Sequence, residues 1–127
     1  MQGYASSKAA SEKELLKYNC EIEIVSLVCG VVGGGTLLSS MPESMGVLIS
    51  QATKNKTRYN TLRFLEELLG KVPILHVEDV FDAHIFCLKT PSIKRRFLCA
   101  TASSYLSSAE IASHHRKNYP DTKKLDE

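Results

Sequence analysis

The sequence predicts an α/β protein with a parallel sheet flanked by helices. Two observations carry that prediction. Apolar patterns alternate along the chain as helix, strand, helix, helix, strand, helix, strand, helix, and alternation of this kind is met by a sheet with helices on its faces. Residues 21–29, Glu-Ile-Glu-Ile-Val-Ser-Leu-Val-Cys, begin with alternation and become continuously apolar, the pattern of a strand entering the middle of a parallel sheet. The 127 residues suffice for one domain with a core, and 43% hydrophobic with 24% charged residues places the chain among globular proteins.

Residues 4–18 read as the first helix, with alanines and Leu15-Leu16 on its apolar side and Asn19 as its stop. The strand 21–29 follows, then a loop from Gly30 to Ser39. Ser40-x-x-Glu43 reads as a capping box, with Pro42 tolerated in the first turn. Met45, Leu48, Ile49 and Ala52 keep helical spacing to about Asn55. A third helix spans 59–69, with Leu62, Leu65, Leu68 and Leu69 inward and Gly70 as terminator. Val72 to His76 is β-like, and Pro73 suggests a sheet edge. Glu78 to Leu88 is helical, with Val80, Ala83, His84 and Cys87 on one side. Arg96 to Ala100 is a short strand. Ser107-x-x-Glu110 caps a last helix to about Lys117, and residues 119–127 form a polar tail.

Net charge is +2, with 16 basic and 14 acidic residues. That balance excludes electrostatic nucleic-acid binding, and Lys94-Arg95-Arg96 reads as a solvated turn. Four cysteines, Cys20, Cys29, Cys87 and Cys99, lack C-x-x-C spacing and read as reduced core thiols. The most apolar stretch, Ile22 to Leu38, is broken by Gly30 and Gly33-Gly34-Gly35, so no membrane span is expected. With a polar, helical start and no secretory leader, a cytoplasmic location is expected.

The chemistry-bearing candidate is Tyr4-Ala5-Ser6-Ser7-Lys8. Residues four apart share a helix face, so Lys8 stands beside Tyr4 and favours its phenolate form. Spacing alone suits an ordinary exposed face, and a second Tyr-x-x-x-Lys, Tyr119 and Lys123, reads as accidental. The position of the first pair, opening a helix that leads into a core strand, gives it weight. Gly33-Gly34-Gly35 fails as a dinucleotide loop, because Leu38 stands where the third glycine belongs and Asn55 where the acid belongs. A substrate-side loop suits it better. His114-His115 reads as a solvated face, since adjacent helix residues point about 100° apart. No residue is assigned to a metal. His76 and His84, flanking Glu78 and Asp79, suggest a buried polar link between strand and helix.

Tyr4-Ala-Ser-Ser-Lys8-Ala-Ala-Ser-Glu12-Lys13 resembles the active-site helix of extended short-chain dehydrogenases/reductases, nearest to the plant dihydroflavonol reductase and anthocyanidin reductase group. Ile24-Val-Ser-Leu-Val28, Met41-Pro-Glu-Ser44, Arg96-Phe-Leu-Cys-Ala100, Ser107-Ser-Ala-Glu-Ile111 and Tyr119-Pro120 agree in order. The block from His76 to Ile85 within Phe64–Phe86, similar to H-V-x-D-V-x-x-A-H-I, is the most specific piece.

The resemblance implies the C-terminal part of a Rossmann-type parallel sheet plus a mostly helical substrate lobe, together an incomplete NAD(P)-binding reductase domain over 1–127. Residues 1–29 would close the Rossmann part, residues 30–118 would be mainly substrate lobe with interleaved sheet elements, and 119–127 the tail. Tyr4 would be the general acid/base. Lys8 would activate it and hydrogen-bond the nicotinamide ribose. Cys29, where the family usually has proline, would lie beside the nicotinamide. The cofactor implied is NADP, and the reaction is oxidoreduction of CH–OH/carbonyl groups on a flavonoid-like substrate. Only Met1-Gln2-Gly3 precede Tyr4, so the isolated chain is expected to be inactive and to bind NADPH negligibly. The alternatives are a non-catalytic module that self-associates or pairs with an intact reductase, and a small binder of flavonoid-like ligands.

Overall fold

A computed structural model of the chain describes residues 2–100 and 102–120. In order they form α1 (Gln2–Leu16), β1 (Ser26–Cys29), β2 (Val31–Gly33), α2 (Glu43–Leu48), α3 (Lys56–Leu69), β3 (Val72–His76), α4 (Val77–Lys89), β4 (Arg96–Cys99), a 3-10 turn (Ala102–Ser104), β5 (Tyr105–Leu106) and α5 (Ser108–Asn118). The expected tail from 121 onward lies outside the described residues.

The strands form two small sheets. β1 pairs in parallel with β4, while β3 pairs in parallel with β2 and antiparallel with β5. The expected strand 21–29 is thus cut to its last four residues, and the loop expected from Gly30 contains β2. Gly30 is the joint between the two sheets. A Cβ there would stand 2.4 Å from the Pro73 carbonyl oxygen, so only glycine lets the chain swing from β4 to β3. Pro73 marks no sheet edge, because β3 is the central strand of its sheet. The β2 ladder starts opposite Ile74, one residue past the proline, and so does not run alongside it.

The core sits in the lobe around β3. Leu62 and Val72 have no exposed surface, and Val47 and Ile111 almost none. Asn55 caps α3 by accepting from the Arg58 N–H at 3.0 Å. Gly70 ends α3 at φ +79°, the left-handed region where glycine carries no penalty. Leu62 and Leu65 face inward as expected, but Leu68 and Leu69 are exposed. Glu66 takes the inward direction instead, accepting from the Ser108 N–H at 3.0 Å and the Ser108 hydroxyl at 2.7 Å. These bonds, the backbone one included, hold the Glu66 carboxyl below its usual range and tie α3 to α5.

Helix starts divide into one box as expected and one that is absent. Ser107 and Glu110 form the capping box of α5. Ser40 does not cap α2; Pro42 holds that position without a side-chain bond, and α2 ends at Leu48. Glu43 is engaged elsewhere, receiving two bonds from the Arg58 guanidinium at 3.0 and 2.8 Å. No helix among the described residues is long and apolar enough to cross a membrane.

Candidate active site

α1 reaches the sheet through one carboxylate. Glu12 accepts from the Ser26 hydroxyl at 2.5 Å and pairs with the Arg96 guanidinium at 3.0 Å. Ser26 and Arg96 are register partners at the start of β1 and β4, so Glu12 fastens the helix to both strands at one point. The rest of α1 is almost wholly exposed and carries no apolar stripe. This tether went unread in the sequence. A glutamate on a polar helix gives no local sign of a partner that the fold supplies from β4.

One turn apart on α1, Tyr4 and Lys8 meet as their spacing predicts. The Lys8 ammonium lies over the Tyr4 ring, 5.6 Å from its centroid, within cation–π range. Tyr4 is largely exposed. Both residues line a cleft of about 750 Å³ between α1 and β1, which Cys29, Gly30 and Val32 also border. The three residues singled out from the sequence, Tyr4, Lys8 and Cys29, therefore border one cleft.

A second, more apolar pocket of about 320 Å³ opens beyond β2. Gly33, Met45, Leu48, His76, Ile111 and His115 are among the residues that line it. Met45 accepts from the Gly34 N–H through sulfur at 3.4 Å. His115 is not the solvated residue expected. It is partly buried, burial and then the charge of His114 lower its pKa, and its Nδ1 is buried without a partner among the described residues. His114 beside it is exposed.

His76 and His84 form no buried link. His76 is the N-cap of α4, its Nδ1 accepting from the Glu78 N–H at 3.3 Å, and His84 bonds the Val80 carbonyl one turn back at 2.7 Å. Both are exposed. The specific block from His76 onward thus builds a strand-to-helix junction.

No family model matches the chain. Over 123 residues, 95% of its length, it is 35% identical to an anthocyanidin reductase ((2S)-flavan-3-ol-forming) of Vitis vinifera and covers 36% of that protein. It is 30% identical over 128 residues to an Arabidopsis thaliana anthocyanidin reductase, covering 37% of it. A Zea mays dihydroflavonol 4-reductase is 28% identical over 120 residues, with 31% of it covered. The chain spans about a third of the length of these curated relatives. In fold it is similar to vestitone reductase from alfalfa, with a TM-score of 0.74 at 22% identity, covering 98% of this chain and 39% of that one. That likeness makes the two small sheets part of a Rossmann-type α/β architecture. By sequence the chain is a relative of the anthocyanidin reductase and dihydroflavonol reductase group, matched over about a third of those proteins' length.

Proposed function

We propose that this chain carries the proton-transfer residues and the substrate-side lobe of an NADP-dependent reductase acting on CH–OH/carbonyl groups of a flavonoid-like molecule. The observation that carries the reading is the joint placement of Tyr4, Lys8 and Cys29 on one cleft, in a chain similar to flavonoid reductases. Tyr4 is exposed to that cleft, so its hydroxyl can give a proton to a substrate oxygen as a carbonyl becomes an alcohol, or take one in reverse. Lys8, held over the ring, has N–H donors for a ribose hydroxyl. Cys29, at the end of β1, borders the same cleft and, by the likeness to those reductases, would be the residue beside the nicotinamide.

The residues present fit the nicotinamide-ribose end of the cofactor. Among the described residues no turn for its pyrophosphate follows β2, since Gly33 closes that strand and the next helix begins only at Glu43. NADP, when bound, supplies the hydride. The apolar pocket between β2 and α5 suits one edge of a flat aromatic substrate.

A chimera in which a related reductase supplies the rest of a full-length fold tests the assignment. Tyr4→Phe should lower its turnover ~100- to 10,000-fold, the usual worth of a general acid/base. Tyr119→Phe should leave turnover unchanged. Turnover near parental in Tyr4→Phe would remove Tyr4 from the chemistry. A second reading, a ligand binder without turnover, rests on the same 320 Å³ apolar pocket. Calorimetric titration of the chain together with turnover by the chimera separates the two, because a pure binder takes up a flavonoid and gives no turnover in the chimera. Pairing with an intact reductase rests on the outer edges of β1 and β4, which have no strand partner among the described residues. Size-exclusion chromatography with a full-length homologue tests it.

A further inference from the structure

Far apart in sequence, Cys29 and Cys99 are direct register partners at the ends of β1 and β4. Neighbouring strands stand ~4.8 Å apart, within the ~4.4–6.8 Å between Cα atoms that a disulfide spans. Register partners leave the same face of a sheet, and the Cys29 thiol itself bonds the Leu27 carbonyl of its own strand at 3.9 Å. Both cysteines are partly buried and neither is in a disulfide. Ser26 turns its hydroxyl to Glu12 on α1, so alternation along β1 turns Cys29 to the opposite, α4 face, where Cys99 lines a cleft of about 420 Å³ with Phe97 and Cys87. Burial, followed by the charge of Cys29, raises the Cys99 thiol above its ordinary range. Cys29, which also borders the wider α1 cleft, meets the reagent first.

We propose that Cys29 and Cys99 form a thiol–disulfide exchange site whose co-substrate is a low-molecular-mass disulfide of the glutathione disulfide type. The Cys29 thiolate attacks one sulfur of that reagent. The reagent's S–S bond breaks, a mixed disulfide forms on Cys29, and one reagent thiolate leaves and takes up a proton. Cys99 then loses its proton to solvent and attacks the Cys29 sulfur. The mixed disulfide breaks, the Cys29–Cys99 bond forms, and the second reagent thiolate leaves and is protonated. Together the two cysteines lose two electrons and two protons, and the reagent gains them as two thiols. The product clamps the β1–β4 ladder on its α4 face. This site stands independently of any role for Tyr4.

The test uses the whole chain, reduced, freed of reductant and equilibrated in glutathione buffers of graded oxidised-to-reduced ratio. Acid quenching, alkylation, digestion and mass spectrometry follow. The expected product is a chain lighter by two hydrogens, with the Cys29 peptide joined to the Cys99 peptide and with Cys20 and Cys87 alkylated. Cys99→Ser should stop at the first step, with glutathione held on Cys29. Alkylated Cys29 and Cys99 at every ratio would overturn the proposal, as would a link from either one to Cys20 or Cys87. Should Cys99→Ser not fold, the map of the unaltered chain decides.

Discussion

Around β3, Leu62 and Val72 keep no solvent-exposed surface, and Val47, Leu75 and Ile111 keep 5% or less. Across β1 and β4 no residue is buried, and Leu98 keeps 67% of its surface exposed. Both regions contain parallel ladders, so hydrogen bonding does not distinguish them. What differs is cover. The β3 lobe has α2, α3 and α5 packed over it, and its helices are tied by charged bonds such as Glu66 to Ser108. The β1–β4 pair has α4 on one side and, on the other, α1 fastened by Glu12. Burial is the main stabilising term in folding. The chain is therefore held together in the lobe that carries the apolar pocket, while Tyr4, Lys8 and Cys29 ride on the lightly held part.

The most severe way to break this contrast is to remove the centre of the covered lobe. Leu62→Ala deletes a fully buried side chain, and such truncations cost ~2–5 kcal/mol. Leu98→Ala removes a mostly exposed one and should shift stability by no more than ~0.5 kcal/mol. Denaturant titration of both variants measures the gap. Equal losses would mean that β4 is buried against something the described contacts do not contain.

Amide exchange sharpens the same contrast without mutation. Exchange-protected units follow contact and burial. The N–H groups of β3 should exchange last, near the global unfolding limit, and those of β1 and β4 well before them. Mass spectrometry of peptic fragments reads the order, and reversed protection would refute the division into a firm and a loose region.

A smaller effect isolates the polar fastening within the firm region. The Glu110 carboxyl is lowered from 4.5 to about 2 by the Ser107 N–H first, then the Ser107 hydroxyl and the Lys71 ammonium. A carboxyl whose folded-state value lies below its unfolded one stabilises the fold above the unfolded value. That contribution is lost as pH falls through the folded value. The unaltered chain should therefore lose stability between pH 4.5 and about 2. Glu110→Gln should be less stable at neutral pH and show a flatter acid limb across that window, measured by thermal melts in a pH series.

Features legible in the sequence were those written in adjacent residues. The Ser107–Glu110 capping box, the Gly70 stop and the strand Val72–His76 each announce themselves within five residues. So does the Tyr4–Lys8 pair, whose meeting follows from helix geometry alone. Features set by a distant partner were not legible. β2 is three residues long beside Gly30, and only its ladder to β3 makes it a strand. β5 has two residues and depends on Val72 and Pro73 in the same way. Leu68 and Leu69 fit an inward stripe as well as Leu62 does, and what turns the helix is the Glu66 bond to Ser108 on another element. The pairing of Cys29 with Cys99 is a matter of strand register, which spacing does not encode. Of the candidate site, the residues of one helix turn were visible and the tether that positions them was not.

That tether carries the mildest and most local prediction. Glu12 holds α1 through the Ser26 hydroxyl and the Arg96 guanidinium. Arg96 is about two-thirds exposed, so the pair is largely screened, and losing it should cost only ~0.5–1 kcal/mol of global stability. The local consequence is larger than the global one, because α1 has no apolar stripe to keep it docked. In Glu12→Ala, trypsin should cut at Lys13 and Lys17 faster than in the unaltered chain, while the exchange of β3 amides stays as it was. Glu12→Gln separates charge from hydrogen bonding. Its amide oxygen still accepts from Ser26 and Arg96, so intermediate cleavage is expected if both terms act. Unchanged cleavage in Glu12→Ala would show that α1 is held by its other contacts with β1. The cleft that carries Tyr4 and Lys8 would then be a firmer structure than its exposed surface indicates.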